Sequence, residues 1–241
     1  MRLNEWNITP DAATLEYHTR QHTQPNRSTV HFSEFIRGSM ANVGLCVDAG
    51  CGAGGPTNYL AACFPTAKFV GIDQSQALID HAEAWQGRAS NTEFKQMSLE
   101  NIEPIFGVDA VVMLQVLSWM PEYVTPLHQI RVRLHPKWIA FSALLYAGDI
   151  DCEIVVTEHQ RPRKSFHNIY GVARLAAFML GEGYALSKLE KFNIDIDLPE
   201  PTSPHFMQTY TAGSSRVMFS GPLHLPWGFA LFERVTANGP H

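Results

Sequence analysis

Leu45-Cys-Val-Asp-Ala-Gly-Cys-Gly-Ala-Gly-Gly55 is the stretch on which the reading of this 241-residue chain turns. A short apolar run ends in an acid, Asp48, breaks into glycines and resumes at Pro56-Thr-Asn-Tyr-Leu60 with helical character. That order describes a strand, a tight turn and a helix start. Glycines let the backbone turn sharply and let a ligand lie against bare main chain. Pro56 suits the first helical turn, where its missing N–H costs nothing. The free N–H groups of that turn face outward, toward a polar or anionic ligand group.

Outward from this stretch, Lys68-Phe-Val-Gly-Ile-Asp-Gln-Ser75 is a second apolar run ending in an acid. Asp73 stands 23 residues after Gly50, room for the turn, one helix and a second strand. An acid at that place meets the ribose hydroxyls of a nucleoside cofactor. Gly50, Gly52 and Gly55 fit the dinucleotide pattern G-x-G-x-x-G. Asp48, Ala49, Gly50, Cys51, Gly52, Ala53 and Gly54 equally resemble motif I of the class I S-adenosylmethionine-dependent methyltransferases, an acid and a small residue before G-x-G-x-G. Asp73 serves both families, but Asp48 separates them. A carboxylate beside the turn repels a pyrophosphate and suits the ammonium group of a methionine moiety. The resemblance is therefore to the methyltransferases, of the small-molecule type. It implies S-adenosyl-L-methionine as cofactor, S-adenosyl-L-homocysteine as product, and an enzyme that transfers methyl to oxygen or nitrogen by in-line displacement. The alternatives are an NAD(P)-dependent oxidoreductase and a non-catalytic nucleotide-binding module of the same fold.

Residues 43–146 alternate strand and helix, with strands expected at 44–49, 68–72, 92–97, 108–114 and 137–145 and helices at 56–63, 75–87 and about 121–134, plus a short turn at 99–104. Such alternation predicts an α/β fold: a doubly wound, mostly parallel sheet of about seven strands with helices on both faces. Asn168–Leu180 has helical spacing and stops at Gly181, and a sixth strand is expected within Leu186–Leu198, starting from about Leu189. Arg216–Ser220 reads as a short strand, and Trp227–Glu233 resembles the antiparallel last strand of the class I methyltransferases. We expect residues 1–40 to form an N-terminal helical cap, with a helix from about Ser28 that ends near Gly38, and residues 41–241 to form the methyltransferase domain, with insertions on the substrate side around 147–168 and 199–226.

Ligands of open parallel sheets bind outside the carboxyl ends of the strands. The cofactor residues expected there are Asp48, Gly50, Cys51, Gly52, Asp73, Gln74, Ser98, Leu99 and Gln115. Ser98 departs from the family pattern, which commonly has an acid for the adenine amino group; a serine hydroxyl still hydrogen-bonds. Acceptor residues are expected from the variable segments: Tyr17, Gln21, Trp119, Tyr146 and Trp227, with Glu153, His167, Tyr170, His205 and Tyr210 as further candidates. The base, needed only if the acceptor loses a proton, is open among His18, Tyr146, His159 and His224. The acceptor pocket is expected to be roofed by Tyr17–Arg27 and by the region from Pro199 to Trp227.

Composition narrows the partners. The formal net charge of −5 argues against a nucleic-acid surface, which normally needs a basic stripe; Arg161-Pro-Arg-Lys164 is the one short basic run. No apolar run is long enough to span a bilayer. Four cysteines without C-x-x-C spacing and no signal-peptide pattern suggest reduced thiols and a cytoplasmic protein. The eleven histidines form no metal-binding motif, so no metal is expected.

Overall fold

The structure, a computed structural model, describes residues 12–158, 163–198, 207–220 and 223–235. Two helices lead the chain, α1 (Ala12–Arg20) and α2 (Arg27–Ile36), the second ending in a 3-10 turn at Arg37–Met40. Then follow β1 (Leu45–Ala49), α3 (Gly55–Cys63), β2 (Lys68–Asp73), α4 (Gln76–Ala84), β3 (Thr92–Gln96), β4 (Ala110–Leu114), α5 (Val124–Leu134) and β5 (Trp138–Tyr146). The later elements are β6 (Val155–Glu158), β7 (Arg163–Phe166), β8 (Ile169–Gly171), α6 (Val172–Gly181), β9 (Tyr184–Lys191), β10 (Met207–Ala212), β11 (Ser215–Ser220), β12 (Leu223–His224) and β13 (Trp227–Arg234).

The main sheet runs β3-β2-β1-β4-β5-β13-β9. β3, β2, β1, β4 and β5 are mutually parallel, and β13 inserts antiparallel between β5 and β9. β8 pairs parallel with Leu144–Tyr146, past the point where β4 stops at Ser142. This is the expected doubly wound sheet with an antiparallel last strand, extended by one short strand. Apart from it, β10, β11 and β12 form a three-stranded sheet and β6 and β7 a hairpin, in the regions expected as insertions.

Side chains on a strand alternate between the two faces, and both faces here are covered, so the central strands are apolar throughout. On one face Cys46, Phe69, Ala110, Val112, Ala140 and Phe229 pack under α2 (Phe32, Phe35, Ile36) and α3 (Leu60, Ala61). On the other Val47, Val70, Val111, Met113, Phe141 and Phe232 pack under α5 (Leu127, Ile130) and α6 (Leu175, Met179). Phe32 and Ile36 are fully buried, so α2 belongs to the core of the domain as much as to any cap.

Three expectations need correction. The sixth strand is β9, Tyr184–Lys191, not Leu189–Leu198: Tyr184 is buried and its hydroxyl donates to Pro136 O at 2.8 Å, which anchors the strand at its start. The helix expected from Asn168 begins at Val172, because Ile169–Gly171 is taken up by β8. The helix expected to reach residue 87 stops at Ala84, and Trp85 is extended at φ −66°, ψ 116°.

Candidate functional site

The strand order reverses between β1 and β4, so the crevice of this sheet opens at their carboxyl ends. There the glycine turn is built. Gly50, Gly52 and Gly54 have φ of +85°, +56° and +81°, a region that residues with a Cβ rarely adopt. The turn is pinned to the neighbouring strand, as the N–H groups of Gly50 and Cys51 both donate to Ile72 O, at 2.8 and 3.0 Å. Close cover explains why Gly50 has no alternative: a Cβ there would meet Val116 Cγ2 at 2.5 Å.

Two acids flank the turn. Asp48 is 1% exposed; its Oδ2 accepts from Thr57 Oγ1 at 2.6 Å, and its Oδ1 is buried with no hydrogen-bond partner. Burial pushes its carboxyl up to about 7; the Thr57 bond opposes this and the charge of Asp73 adds to it. Asp73 ends β2 as expected. Its oxygens accept from the backbone N–H groups of Gly52 and Ser75, each at 2.9 Å, and these bonds counter part of the upward shift that burial causes. The carboxylate thus braces the turn, with lone pairs left over for a hydroxyl-bearing ligand.

The other expected cofactor residues divide. Cys51 turns its thiol into the sheet, where a Cβ on Gly71 would lie 2.9 Å from it, so only its backbone faces the turn. Leu99 is 8% exposed and packs in the core under α5 and α6. Ser98 accepts from Glu100 N–H at 3.3 Å, and the Gln74 carbonyl accepts from Gln96 Nε2 at 3.1 Å, both in loops at the carboxyl edge. Gln115 is a non-glycine residue at φ +57°. Its N–H donates to Ser142 Oγ at 2.9 Å, and this holds the sharp exit from β4 that brings Val116 over Gly50.

The N-terminal segment lies on the turn. A Cβ on Gly52 would be 2.6 Å from the His18 ring, and one on Gly55 would be 2.8 Å from Gln21 Cβ. His22 stacks on Trp85 with ring centroids 4.5 Å apart. Asn26 Nδ2 donates to Tyr17 Oη and to Gln21 Oε1, both at 3.1 Å, which ties α1 to the start of α2. Gln115 Nε2 donates to Ser28 Oγ at 3.2 Å and joins α2 to the end of β4. Burial, reinforced by His22, lowers the His18 imidazole to about 4, so it is neutral at pH 7. Gln21 is 5% exposed.

On the β5–β13 side of the sheet Trp119 and Trp227 meet, with ring centroids 6.0 Å apart, and His167 packs edge-on against Trp119 at 4.3 Å. Tyr146 is not part of this group: it is 47% exposed, with its ring over Gly148. His224 is exposed on β12 beside Phe219. His159, His205 and the side chain of Tyr210 lie outside the described residues, as do Arg161 and Pro162 of the basic run. Among the described residues no three His, Cys, Asp or Glu side chains group to hold a metal ion, and no helix is long and apolar enough to cross a membrane.

Sequence reading missed the polar residues that hold the site together. Thr57 carries a signal in hindsight, as a hydroxyl one place after Pro56 on a helix whose first turn faces Asp48. Ser142 and Asn168 carry none, because their partners lie 27 and 48 residues away.

The family model described as a methyltransferase domain matches residues 47–137, the segment from β1 to the start of β5. A trans-aconitate 2-methyltransferase of Escherichia coli is 26% identical over 118 residues, 49% of this chain and 46% of that protein. One from Methylobacterium radiotolerans is 33% identical over 92 residues, 38% of this chain and 34% of that protein. The chain spans about half the length of the curated relatives it matches. Among solved structures, the 1,6-didemethyltoxoflavin-N1-methyltransferase of Burkholderia thailandensis, with 1,6-didemethyltoxoflavin and S-adenosylhomocysteine bound, aligns with a TM-score of 0.57 at 14% identity, covering 95% of this chain and 93% of that one. The segment centred on the glycine turn is thus similar to methyltransferase domains, and the sheet, with its last strand inserted antiparallel beside β5, has the fold of the aligned methyltransferase structure.

Proposed function

We propose that the protein transfers a methyl group from S-adenosylmethionine to an oxygen or nitrogen of a small-molecule acceptor. The observation that carries this reading is Asp48, a buried carboxyl with an unpartnered oxygen, set beside a turn of three glycines at positive φ. A buried acid lacking a partner is costly and is retained where a ligand completes it. An ammonium group fits that oxygen, and a pyrophosphate does not, which disfavours the NAD(P) oxidoreductase. The cofactor supplies an electrophilic methyl when bound. Gly50 and Gly52 would hold its methionine part, Asp73 its ribose, and the loop at Ser98–Leu99 its adenine.

The remaining work of the chain is to position the acceptor and exclude water. α1, laid on the glycine turn and tied to α2 through Asn26, serves as the cap, and the segments 147–168 and 199–226 supply the acceptor side. The curated relatives are named for a small acceptor, and the net charge of −5 sits poorly with a nucleic-acid one. The free thiols of buried Cys46 and Cys51 suit a reducing, cytoplasmic setting.

Titration calorimetry with S-adenosylhomocysteine and with NAD tests the cofactor. Binding of the first and not the second is expected, and the reverse would overturn the reading. Binding without methyl transfer to any acceptor would favour the non-catalytic module.

A further inference from the structure

Gln21 is 5% exposed, and its side-chain amide nitrogen has no hydrogen-bond partner among the described residues. Its oxygen is engaged: Asn26 Nδ2 donates to Gln21 Oε1 and to Tyr17 Oη, both at 3.1 Å. What that contact leaves over are donors, the Gln21 amide hydrogens and the Tyr17 O–H, which burial keeps protonated. Gln21 Cβ lies 2.8 Å from where a Cβ on Gly55 would stand. The amide is therefore within one side-chain length of the first turn of α3.

That turn offers donors of its own. α3 is nine residues long, is preceded by Gly54 in the left-handed conformation and has no side-chain cap. Pro56 has no N–H, so the Gly55 and Thr57 N–H groups are the first that the helix presents, at the positive end of its dipole. Thr57 also ties this end to Asp48, through the 2.6 Å bond to Oδ2 that leaves Oδ1 unpartnered. An orphaned acceptor and a set of orphaned donors thus stand on the two sides of Thr57. An α-amino acid end has the matching groups, an ammonium and a carboxylate on one carbon. A phosphate satisfies the donors but is repelled by the acid.

We infer that Gln21 and Tyr17 hold the α-carboxylate of the methyl donor against the start of α3, and that this contact seals α1 on the glycine turn. The inference rests on the methyltransferase reading above, in which Asp48 takes the ammonium. Both residues, expected from the sequence on the acceptor side, then serve the cofactor. His18 and His22 do not compete for the anion: burial lowers both imidazoles, so neither is a cation at pH 7. A neutral amide and a hydroxyl beside a helix start hold a carboxylate by directed hydrogen bonds. A ligand without the carboxylate leaves the buried Gln21 amide unpaired, and α1 then gains nothing from closing on it.

The test is calorimetry on the full chain with two ligands, S-adenosylhomocysteine and its decarboxylated analogue, which keeps the amine. The wild type should bind the first about ten- to a hundredfold more tightly, the range of one hydrogen bond to a charged group. Gln21→Leu, which keeps the buried bulk, should weaken S-adenosylhomocysteine by about that factor and leave the analogue unchanged. Tyr17→Phe should show the same dependence on ligand. A purely structural Gln21 would weaken both ligands alike. Limited trypsin digestion reads the seal: S-adenosylhomocysteine should slow cleavage after Arg20, at the end of α1, and the analogue should not. Should Gln21→Leu fail to fold, Tyr17→Phe and the digestion decide. Equal affinity of the wild type for the two ligands, equal losses in the variants, or equal protection from trypsin overturns the inference, while S-adenosylhomocysteine binding still supports the methyltransferase reading. Failure of the wild type to bind S-adenosylhomocysteine overturns both.

Discussion

Replacing Asp48 by Asn separates what that residue costs the fold from what it gives the cofactor. The carboxyl is raised from 3.8 to about 7 by burial, so the folded chain holds its proton more tightly than the unfolded chain does. The sign follows: stability is greatest with the group protonated and falls as pH rises through the window from about 4 to about 7, beyond which the loss is complete. Ionising a carboxyl shifted this far costs on the order of 4 kcal/mol, of which roughly 2–3 kcal/mol is lost between pH 5 and pH 8. The amide keeps the shape and an oxygen for Thr57, and it does not titrate. In a domain of this size, 1 kcal/mol moves Tm by about 2–4 °C. Asp48→Asn should therefore gain roughly 5–10 °C on the wild type as pH goes from 5 to 8, measured by thermal denaturation of the ligand-free protein. It should also bind S-adenosylmethionine at least about tenfold more weakly at pH 8, because the ammonium loses its partner. A difference in Tm that does not change with pH would refute the buried, ionisable Asp48. A gain in stability with unchanged affinity would refute its place beside the ammonium.

Other substitutions probe the frame around it. Asp73→Ala removes the acceptor for Gly52 and Ser75 N–H as well as the expected ribose contact, and calorimetry should show S-adenosylhomocysteine binding weakened by roughly 1.5–3 kcal/mol per lost charge-assisted bond. Gly71→Ala puts a Cβ 2.6 Å from Phe94 and 2.9 Å from Cys51 Sγ in a central strand, so denaturant unfolding should show about 1–3 kcal/mol lost. Asn168→Ala leaves the carbonyls of Met120 and Pro121 and the N–H of Ile154 without the Asn168 side chain; if the segment 147–168 serves the acceptor as proposed, turnover should fall more than cofactor affinity, as read from steady-state kinetics beside calorimetry. Deleting residues 1–24 uncovers the glycine turn and should leave a cooperatively folding core that barely transfers methyl; normal turnover would show that α1 is not a cap.

The legible part of the fold is its local part. Leu45–Asp73 announces strand, turn, helix and strand because each rests on neighbours in sequence: the glycines at positive φ, Pro56 at the helix start, an acid closing each strand. The antiparallel β13 was legible too, as an apolar run bounded by Pro226 and by charge at Glu233 and Arg234. The placement of β9 was not. Only Tyr184 of β9 is buried, and much of the strand is exposed, so its sequence carries little periodic signal and tertiary pairing with β13 sets the register. β8 escaped for the same reason: three residues are too few to show a period, and its existence depends on the edge that β5 offers past the end of β4.

The candidate site divides along the same line. Its cofactor half hangs on β1 and β2, where turn chemistry written in adjacent residues places Gly50, Gly52 and Asp73 within one βαβ unit. The aromatic group of Trp119, His167 and Trp227 at the other side of this edge is gathered from three stretches separated by 48 and 60 residues, each brought in by a different strand. No local pattern ties them together; the sheet does. The methyl donor requires the same chemistry of every member of such a family, whereas the acceptor side is assembled from segments that the sheet leaves free to vary.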